Sequence, residues 1–279
     1  MDNKKAQTEE PFRLYRSVGR CYSCGLSLLS GNFRSFFRFL FPVAAVCALL
    51  STLVNAAQLF PYELSLGFLE PYKDWMSAFF FLIDLVVYCV FLSHVYTLIK
   101  MKASDHELSS LTTKFFYAES RRNVRRILGW YCVFIPVLCA TFYLAPLAYI
   151  LLMLVLPCLM LSGKPFWRGV LFGLRLGCRS FFRNLQMAVF LLFSVGLACA
   201  LINSPLVVFY LMEYSAELAI VSGDTVVLPE YCYYIALVAL FLTTLLSLFV
   251  FIAFHTTIAY LYTSTQIAYE EELANIGKH

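Results

Sequence analysis

Residues 127–161, ILGWYCVFIPVLCATFYLAPLAYILLMLVLPCLML, form a charge-free apolar run of 35 residues. A helix of that length would extend ~52 Å, since an α-helix rises ~1.5 Å per residue, whereas the hydrocarbon core of a bilayer is only ~30 Å thick. The run also contains Pro136, Pro146 and Pro157, and proline breaks or kinks a helix because it lacks a backbone donor. The run is therefore either one long kinked helix or, as its length favours, a tight hairpin of two spans that turns near Ala145 and Pro146.

The composition of the whole chain also points to lipid as the solvent. Of 279 residues, 61% are hydrophobic and only 14% are charged, whereas soluble domains average about 45–50% and about 25%. So few charges do not cover the surface of a water-soluble protein of this size. Because the first long apolar run begins only near Phe39, we expect no cleavable signal peptide.

Apolar runs of ~20 residues, the length that crosses a bilayer as a helix, predict six spans. The expected fold is an all-α polytopic membrane protein with six transmembrane helices and amphipathic interfacial helices on the cytoplasmic side. A mobile cytoplasmic tail (1–11) would precede a membrane domain (12–262), and a second cytoplasmic tail (263–279) would follow it. The predicted spans are 39–60, 75–99, 127–144, 145–161, 185–212 and 232–262.

The distribution of charge predicts the orientation. With six spans and the N-terminus inside, the outer loops hold a single basic residue, Lys73, and the other 20 of the 21 Lys and Arg residues face the cytoplasm. Basic residues are retained inside during insertion. We therefore expect a multi-pass protein of the cell (inner, cytoplasmic) membrane with both termini in the cytoplasm. The outer loops hold the acids Glu63, Glu70, Asp74, Glu213, Glu217, Asp224 and Glu230.

A basic, amphipathic segment precedes each odd-numbered span. The sequence Arg-Ser-Phe-Phe-Arg occurs at 34–38 and again at 179–183, and the segment 122–126 keeps only the two outer arginines. On a helix, residues i and i+4 share a face, so each pair is expected to point both guanidinium groups to one side at headgroup depth. Retention of basic residues on the cytoplasmic side, together with anchoring of the helices at the membrane interface, would explain these arginines without a specific function. The functional alternatives are specific binding of anionic lipid headgroups and docking of a soluble protein at the cytoplasmic face. The candidate lipid contacts are Arg34, Arg38, Arg122, Arg126, Arg175, Arg179 and Arg183.

Three glycines, Gly169, Gly173 and Gly177, recur at four-residue spacing in the segment before the fifth span. Small residues at this spacing let two helix backbones approach closely. The pattern predicts a helix-packing seam.

Six spans with an arginine- and aromatic-rich helix before each odd one resemble a group of bacterial membrane proteins of little-known activity. That group is similar to the membrane domain fused to some glycerophosphodiester phosphodiesterases. The resemblance rests on residues 34–38, on 166–183 and on the hydrophobic run after each. It implies a six-helix bundle with a link to membrane or lipid homeostasis. Since the phosphodiesterase active site of such fusions lies in a separate soluble domain, no catalytic residue is carried over.

Asp84 is the one acid well inside a predicted span, and ionisable residues there are costly and often functional. Asn55 and Asn203 lie toward the same outer half of their spans and could hydrogen-bond it. Asp84 is then either a satisfied contact between helices or a proton or cation site in a small secondary transporter.

Other chemistry finds little support in the sequence. His94 and His255 lie at similar depth near the inner ends of two spans, but no third ligand follows at a recognised spacing, and Cys21 with Cys24 forms a lone CxxC. The chain contains no catalytic motif and no basic soluble domain, so we expect no cofactor, no metal and no nucleic-acid partner. The expected role is structural, lipid-associated or accessory rather than enzymatic, with membrane lipid as the main partner; the oligomeric state is left open.

Overall fold

The computed structural model describes residues 12–59, 73–104, 112–222 and 228–276, and these residues fold into α-helices without a β-strand. Within these described ranges, six segments are long and apolar enough to cross a membrane, so the prediction of an all-α polytopic protein with six spans is confirmed. The helices are α1 (Val18–Gly31), α2 (Phe33–Leu59), α3 (Lys73–Ala103), α4 (Thr113–Ala140), α5 (Ala145–Leu152), α6 (Val155–Leu161), α7 (Phe166–Arg179), α8 (Phe181–Val221) and α9 (Glu230–Ile276).

The apolar run at 127–161 forms a hairpin. Helix α4 ends at Ala140, a short 3-10 turn covers Phe142–Leu144, and α5 and α6 return along α4. The rings of Phe134 and Tyr149, on the two limbs, lie 6.5 Å apart. The turn thus falls just before the predicted position. The return limb breaks between α5 and α6. Pro157 accounts for this break, because proline has no N–H to donate to the carbonyl of Met153, four residues earlier, and its ring clashes with that carbonyl in a helix.

Helices α4 and α9 extend furthest beyond their predicted spans. Helix α4 begins at Thr113 and carries the basic segment directly into the span, because no Gly or Pro interrupts residues 113–126. Helix α9 continues to Ile276, so most of the segment predicted as the tail 263–279 is helical. The first residues of this predicted tail, Thr263 to Thr265, are buried because the N-terminal segment (residues 12–31) packs on them. The predicted tail 1–11 and most of the predicted loop at 61–74 lie outside the described residues.

The repeated Arg-Ser-Phe-Phe-Arg sequence does not form the same structure twice. Arg34 and Arg38 both lie on α2, whereas Arg179 ends α7 and Arg183 belongs to α8. The prediction that Arg179 and Arg183 share one helical face is therefore wrong. The break falls at Ser180, whose backbone leaves helical geometry (φ −102°, ψ 26°) and whose hydroxyl donates to the backbone oxygen of Leu176 at 2.7 Å.

The chain divides into two compact units. The first comprises Met1–Phe37, Leu92–Leu191 and Ile252–His279, and the second comprises Arg38–Phe91 and Leu192–Phe251. Within the second unit, Ala56, Phe209 and Ala236 form a buried cluster. Its helix α8 leaves large apolar side chains uncovered: Leu192 is 71% exposed and Phe193 72%. Such surface is typical of a lipid-facing helix.

Candidate functional site

A cavity of about 310 Å³ in the first unit brings together two of the arginines singled out from the sequence, Arg179 and Arg183. Its volume lies at the small end of the range for ligand sites, ~300–1,000 Å³. The end of α7, the start of α8 and the last turns of α9 form its walls. The other lining residues are Tyr15, Leu176, Ser180, Phe182, Thr265, Ala268, Tyr269 and Glu272.

Arg179 is held by α9 on one side of the cavity. Its guanidinium forms an ion pair with Oε1 of Glu272 and lies 5.1 Å from the ring centre of Tyr269. Both partners of the ion pair are open to solvent, with side chains 44% and 50% exposed. Exposed ion pairs contribute little to stability, ~0–1 kcal/mol, so this pair can exchange partners with a ligand at small cost.

Arg183 is held by the N-terminal segment and by α9. Its Nη2 donates to the backbone oxygen of Arg16 and to Oγ of Ser264, the latter at 2.6 Å. Its guanidinium lies 5.0 Å from the ring centre of Tyr15. Among the described residues, no carboxylate forms an ion pair with Arg183, so its positive charge remains available to an anion in the cavity.

Arg16, which sequence reasoning did not select, is the buried support of this site. It is 2% exposed, its backbone N–H donates to Ser264 Oγ at 2.7 Å, and its guanidinium lies 5.2 Å from the ring centre of Tyr260. The side chain also donates to the backbone oxygens of Phe12 and Leu14, at 3.3 and 3.1 Å. Arg16 thereby fixes the fold of residues 12–16 and places Tyr15 at the cavity.

Cys21, the first cysteine of the CxxC sequence, is buried next to Arg183 and α9. Its thiol is 3.9 Å from Nη2 of Arg183 and 3.8 Å from the backbone oxygen of Tyr260. Burial raises the pKa of the Cys21 thiol, although the charge of Arg183 opposes that shift. A thiol with a raised pKa is a poor nucleophile and a poor metal ligand, which favours a packing role for Cys21. Among the described residues, no group of three or more His, Cys, Asp or Glu side chains is placed to hold a metal ion.

The other candidate arginines do not line this cavity. Arg34, Arg38 and Arg175 are exposed, and Arg38 lies 5.5 Å from the ring centre of the adjacent Phe39. Arg122 is exposed and lies 3.8 Å from Oε2 of Glu119, while Arg126 is half-buried on the same helix.

The three glycines of α7 are buried against the return limb of the hairpin. A Cβ atom at Gly173 would lie 2.7 Å from Cα of Val155, and one at Gly169 would lie 2.7 Å from Cδ2 of Leu159. At Gly177, a Cβ atom would overlap the backbone oxygen of Leu151. This close approach fixes the end of α7, and therefore Arg179, relative to the hairpin.

Asp84, in the second unit, is half-buried and accepts a hydrogen bond from Ser51 Oγ at 2.5 Å. Asn55 donates to the backbone oxygen of Ser51 at 2.7 Å, so Asn55 reaches Asp84 only through Ser51. Asn203 donates to the backbone oxygen of Cys199 on its own helix, at 2.8 Å. The structure thus joins Asp84 to α2 through a serine that sequence reasoning did not select.

The two histidines sit in buried hydrogen-bonded surroundings. His255 lies 3.2 Å from the hydroxyl of Tyr96, and His94 lies 3.4 Å from the hydroxyl of Ser93. Ser93 and Ser120 are 2.9 Å apart and join α3 to α4, the same pair of helices that Asn123 joins through Thr97. Polar contacts of this kind hold membrane helices together.

No family model, no curated protein and no solved structure matches the chain. The resemblance to the membrane domain of glycerophosphodiester phosphodiesterase fusions therefore stays a prediction.

Proposed function

We propose that this chain is a lipid-associated membrane protein that binds the phosphate of phospholipid headgroups in the Arg179–Arg183 cavity. The observation that carries the proposal is the convergence of two guanidinium groups, from two helices, on one small cavity at the end of a predicted span. Guanidinium groups bind phosphate with charge-assisted hydrogen bonds, and headgroup phosphates lie at the depth where spans end. The role is structural or accessory rather than catalytic.

Fixed surroundings support binding at this place rather than diffuse attraction. Arg183 is held by Ser264 and by the backbone of Arg16, and Arg179 is held by Tyr269 and Glu272. Side chains that are already ordered lose less conformational entropy when a ligand binds. The exposed pair Arg34 and Arg38 has the same local sequence but does not line this cavity.

The test uses this internal repeat as its control. Purified protein is studied by native mass spectrometry with added phosphatidylglycerol, comparing the wild type with the double variants R179Q/R183Q and R34Q/R38Q. At ~1 kcal/mol for each arginine, we expect lipid affinity to fall about 30-fold in R179Q/R183Q. A smaller, nonspecific loss is expected in R34Q/R38Q. Equal losses in both variants would show diffuse attraction and refute the cavity; no loss in either would refute lipid binding by these arginines.

We further propose that the basic ends of the helices face the cytoplasm and that both termini lie there, in the inner membrane. The support is the excess of basic residues in the loops between predicted even and odd spans. In a cysteine-free background, R175C should resist a membrane-impermeant maleimide added to intact cells, whereas S222C should react. Labelling of R175C without labelling of S222C would reverse the orientation.

Asp84 supports the alternative of a small secondary transporter less well. Its carboxylate already accepts a short hydrogen bond from Ser51, which is what a contact between helices requires. We propose that Asp84 holds α3 to α2 within the second unit.

A further inference from the structure

The Arg179–Arg183 cavity contains an acid, which orders Arg179 but would repel a purely anionic headgroup. Glu272 lines the cavity together with the two arginines. A carboxylate near a bound phosphate repels it, since like charges at close range cost free energy even when partly solvated. A headgroup that also carries a positive charge would instead be attracted to the carboxylate of Glu272.

We propose that the cavity prefers a phosphodiester headgroup that carries an ammonium group, as in phosphatidylethanolamine. This inference rests on the proposed function, because it assigns the headgroup class to the same cavity. The phosphate would lie between the guanidinium groups of Arg179 and Arg183, and the ammonium group would lie against the carboxylate of Glu272.

The geometry around Glu272 leaves an acceptor for that ammonium group. Oε1 of Glu272 pairs with Arg179, while Oε2 has no hydrogen-bond partner among the described residues. Because Arg179 and Glu272 are in direct contact, a phosphate on Arg179 places a group two carbons away within reach of Glu272. An ammonium group donates three hydrogen bonds and carries the opposite charge, so it suits this acceptor.

The two tyrosines of the cavity argue against a choline headgroup. A trimethylammonium group has no hydrogen to donate and is bound instead over open aromatic faces. Here the ring of Tyr269 is already contacted by Arg179, at 5.1 Å, and the ring of Tyr15 by Arg183, at 5.0 Å. A choline headgroup on either tyrosine ring would have to displace one of these arginines, and with it a contact to the phosphate.

The experiment compares three lipids with identical acyl chains, carrying ethanolamine, glycerol or choline, in competition for the protein by native mass spectrometry. Since Glu272 is half exposed, we expect wild type to retain the ethanolamine lipid about fivefold better than the glycerol lipid. In E272Q this ratio should fall to about one, because the amide lacks the charge. The control E271Q changes the same charge at the adjacent exposed position, which does not line the cavity, and should keep the ratio.

The outcomes separate this inference from the proposed function. If R179Q/R183Q loses affinity for all three lipids but E272Q keeps the wild-type ratio, the headgroup assignment is wrong and the phosphate site stands. If wild type retains the glycerol lipid as well as the ethanolamine lipid, the assignment is also wrong. If R179Q/R183Q retains every lipid as wild type does, the phosphate site itself is refuted. Melting temperatures of the variants verify that each is folded.

Discussion

Arg183 donates a hydrogen bond to the backbone oxygen of Arg16, a residue 167 positions earlier in the chain. Ser264 of α9 donates to the same oxygen at 3.1 Å, and Arg183 donates to Ser264 in turn. Three distant parts of the chain therefore meet at one backbone carbonyl. This contact holds the N-terminal segment (residues 12–31) at the edge of the cavity.

Replacing Arg183 should release the N-terminal segment. In R183Q we expect a loss of ~1–3 kcal/mol in the free energy of unfolding, since the hydrogen bonds of a charged group are lost. The readout is the reaction of Cys21 with a maleimide in a variant whose other cysteines are replaced by alanine. The charge of Arg183 lowers the pKa of the Cys21 thiol. Without that charge a smaller fraction of Cys21 is thiolate, so at unchanged exposure the reaction would be slower.

Faster labelling of Cys21 in R183Q would therefore report exposure of the buried thiol, and this is the result we expect. The control R175Q removes an exposed arginine outside the cavity and should leave the rate unchanged. Slower labelling in R183Q would contradict a role for Arg183 in holding the segment.

Gly25 sets how closely α1 approaches α9. A Cβ atom there would lie 2.8 Å from Cα and 2.9 Å from the backbone nitrogen of Thr257, and neither atom can move without shifting the helix. We expect G25A to lower stability by ~1–3 kcal/mol, measured as a lower melting temperature in detergent. Gly19, on the same helix, has open space around it, so G19A should be neutral or stabilising. An equal effect of both variants would argue against this packing.

Gly177, which is in close contact with the hairpin, and Gly196, which has open space around it, form a matched pair that tests the glycine seam. G177A would place a methyl group into the backbone oxygen of Leu151 and should cost ~1–3 kcal/mol, with a shift at Arg179 and weaker lipid retention. In G196A the methyl group meets nothing within 4 Å, and the better helix propensity of alanine should leave stability equal or higher. Unchanged melting and lipid retention in G177A would contradict the seam.

Asp84 should tolerate loss of its charge. In D84N, the amide oxygen still accepts the hydrogen bond from Ser51, so we expect a change in stability below ~0.6 kcal/mol. D84L removes the acceptor and should be the less stable variant. Proton flux into proteoliposomes, followed with a pH-sensitive dye, should be absent from wild type and D84N alike. A flux that D84N abolishes would restore the transporter alternative.

The sequence predicts the helices and their number because hydropathy and charge are local properties. The break of the 127–161 run followed from its length and its prolines, and the spacing of the α7 glycines indicated a close contact. The burial of Arg16 could not be predicted, since its partner Ser264 lies 248 positions away and an arginine is rarely buried without a partner. The helix break at Ser180 could not be predicted either, because the same five residues lie within a single helix at 34–38, so the local sequence does not distinguish the two places.

A structure of the protein in a phospholipid nanodisc would test the phosphate site most directly. We predict density for one headgroup phosphate within about 2.7–2.9 Å of guanidinium nitrogens of both Arg179 and Arg183, in the cavity that Tyr15, Tyr269 and Glu272 line. Headgroup density at Arg34 and Arg38, with the Arg179–Arg183 cavity free of lipid, would contradict the account.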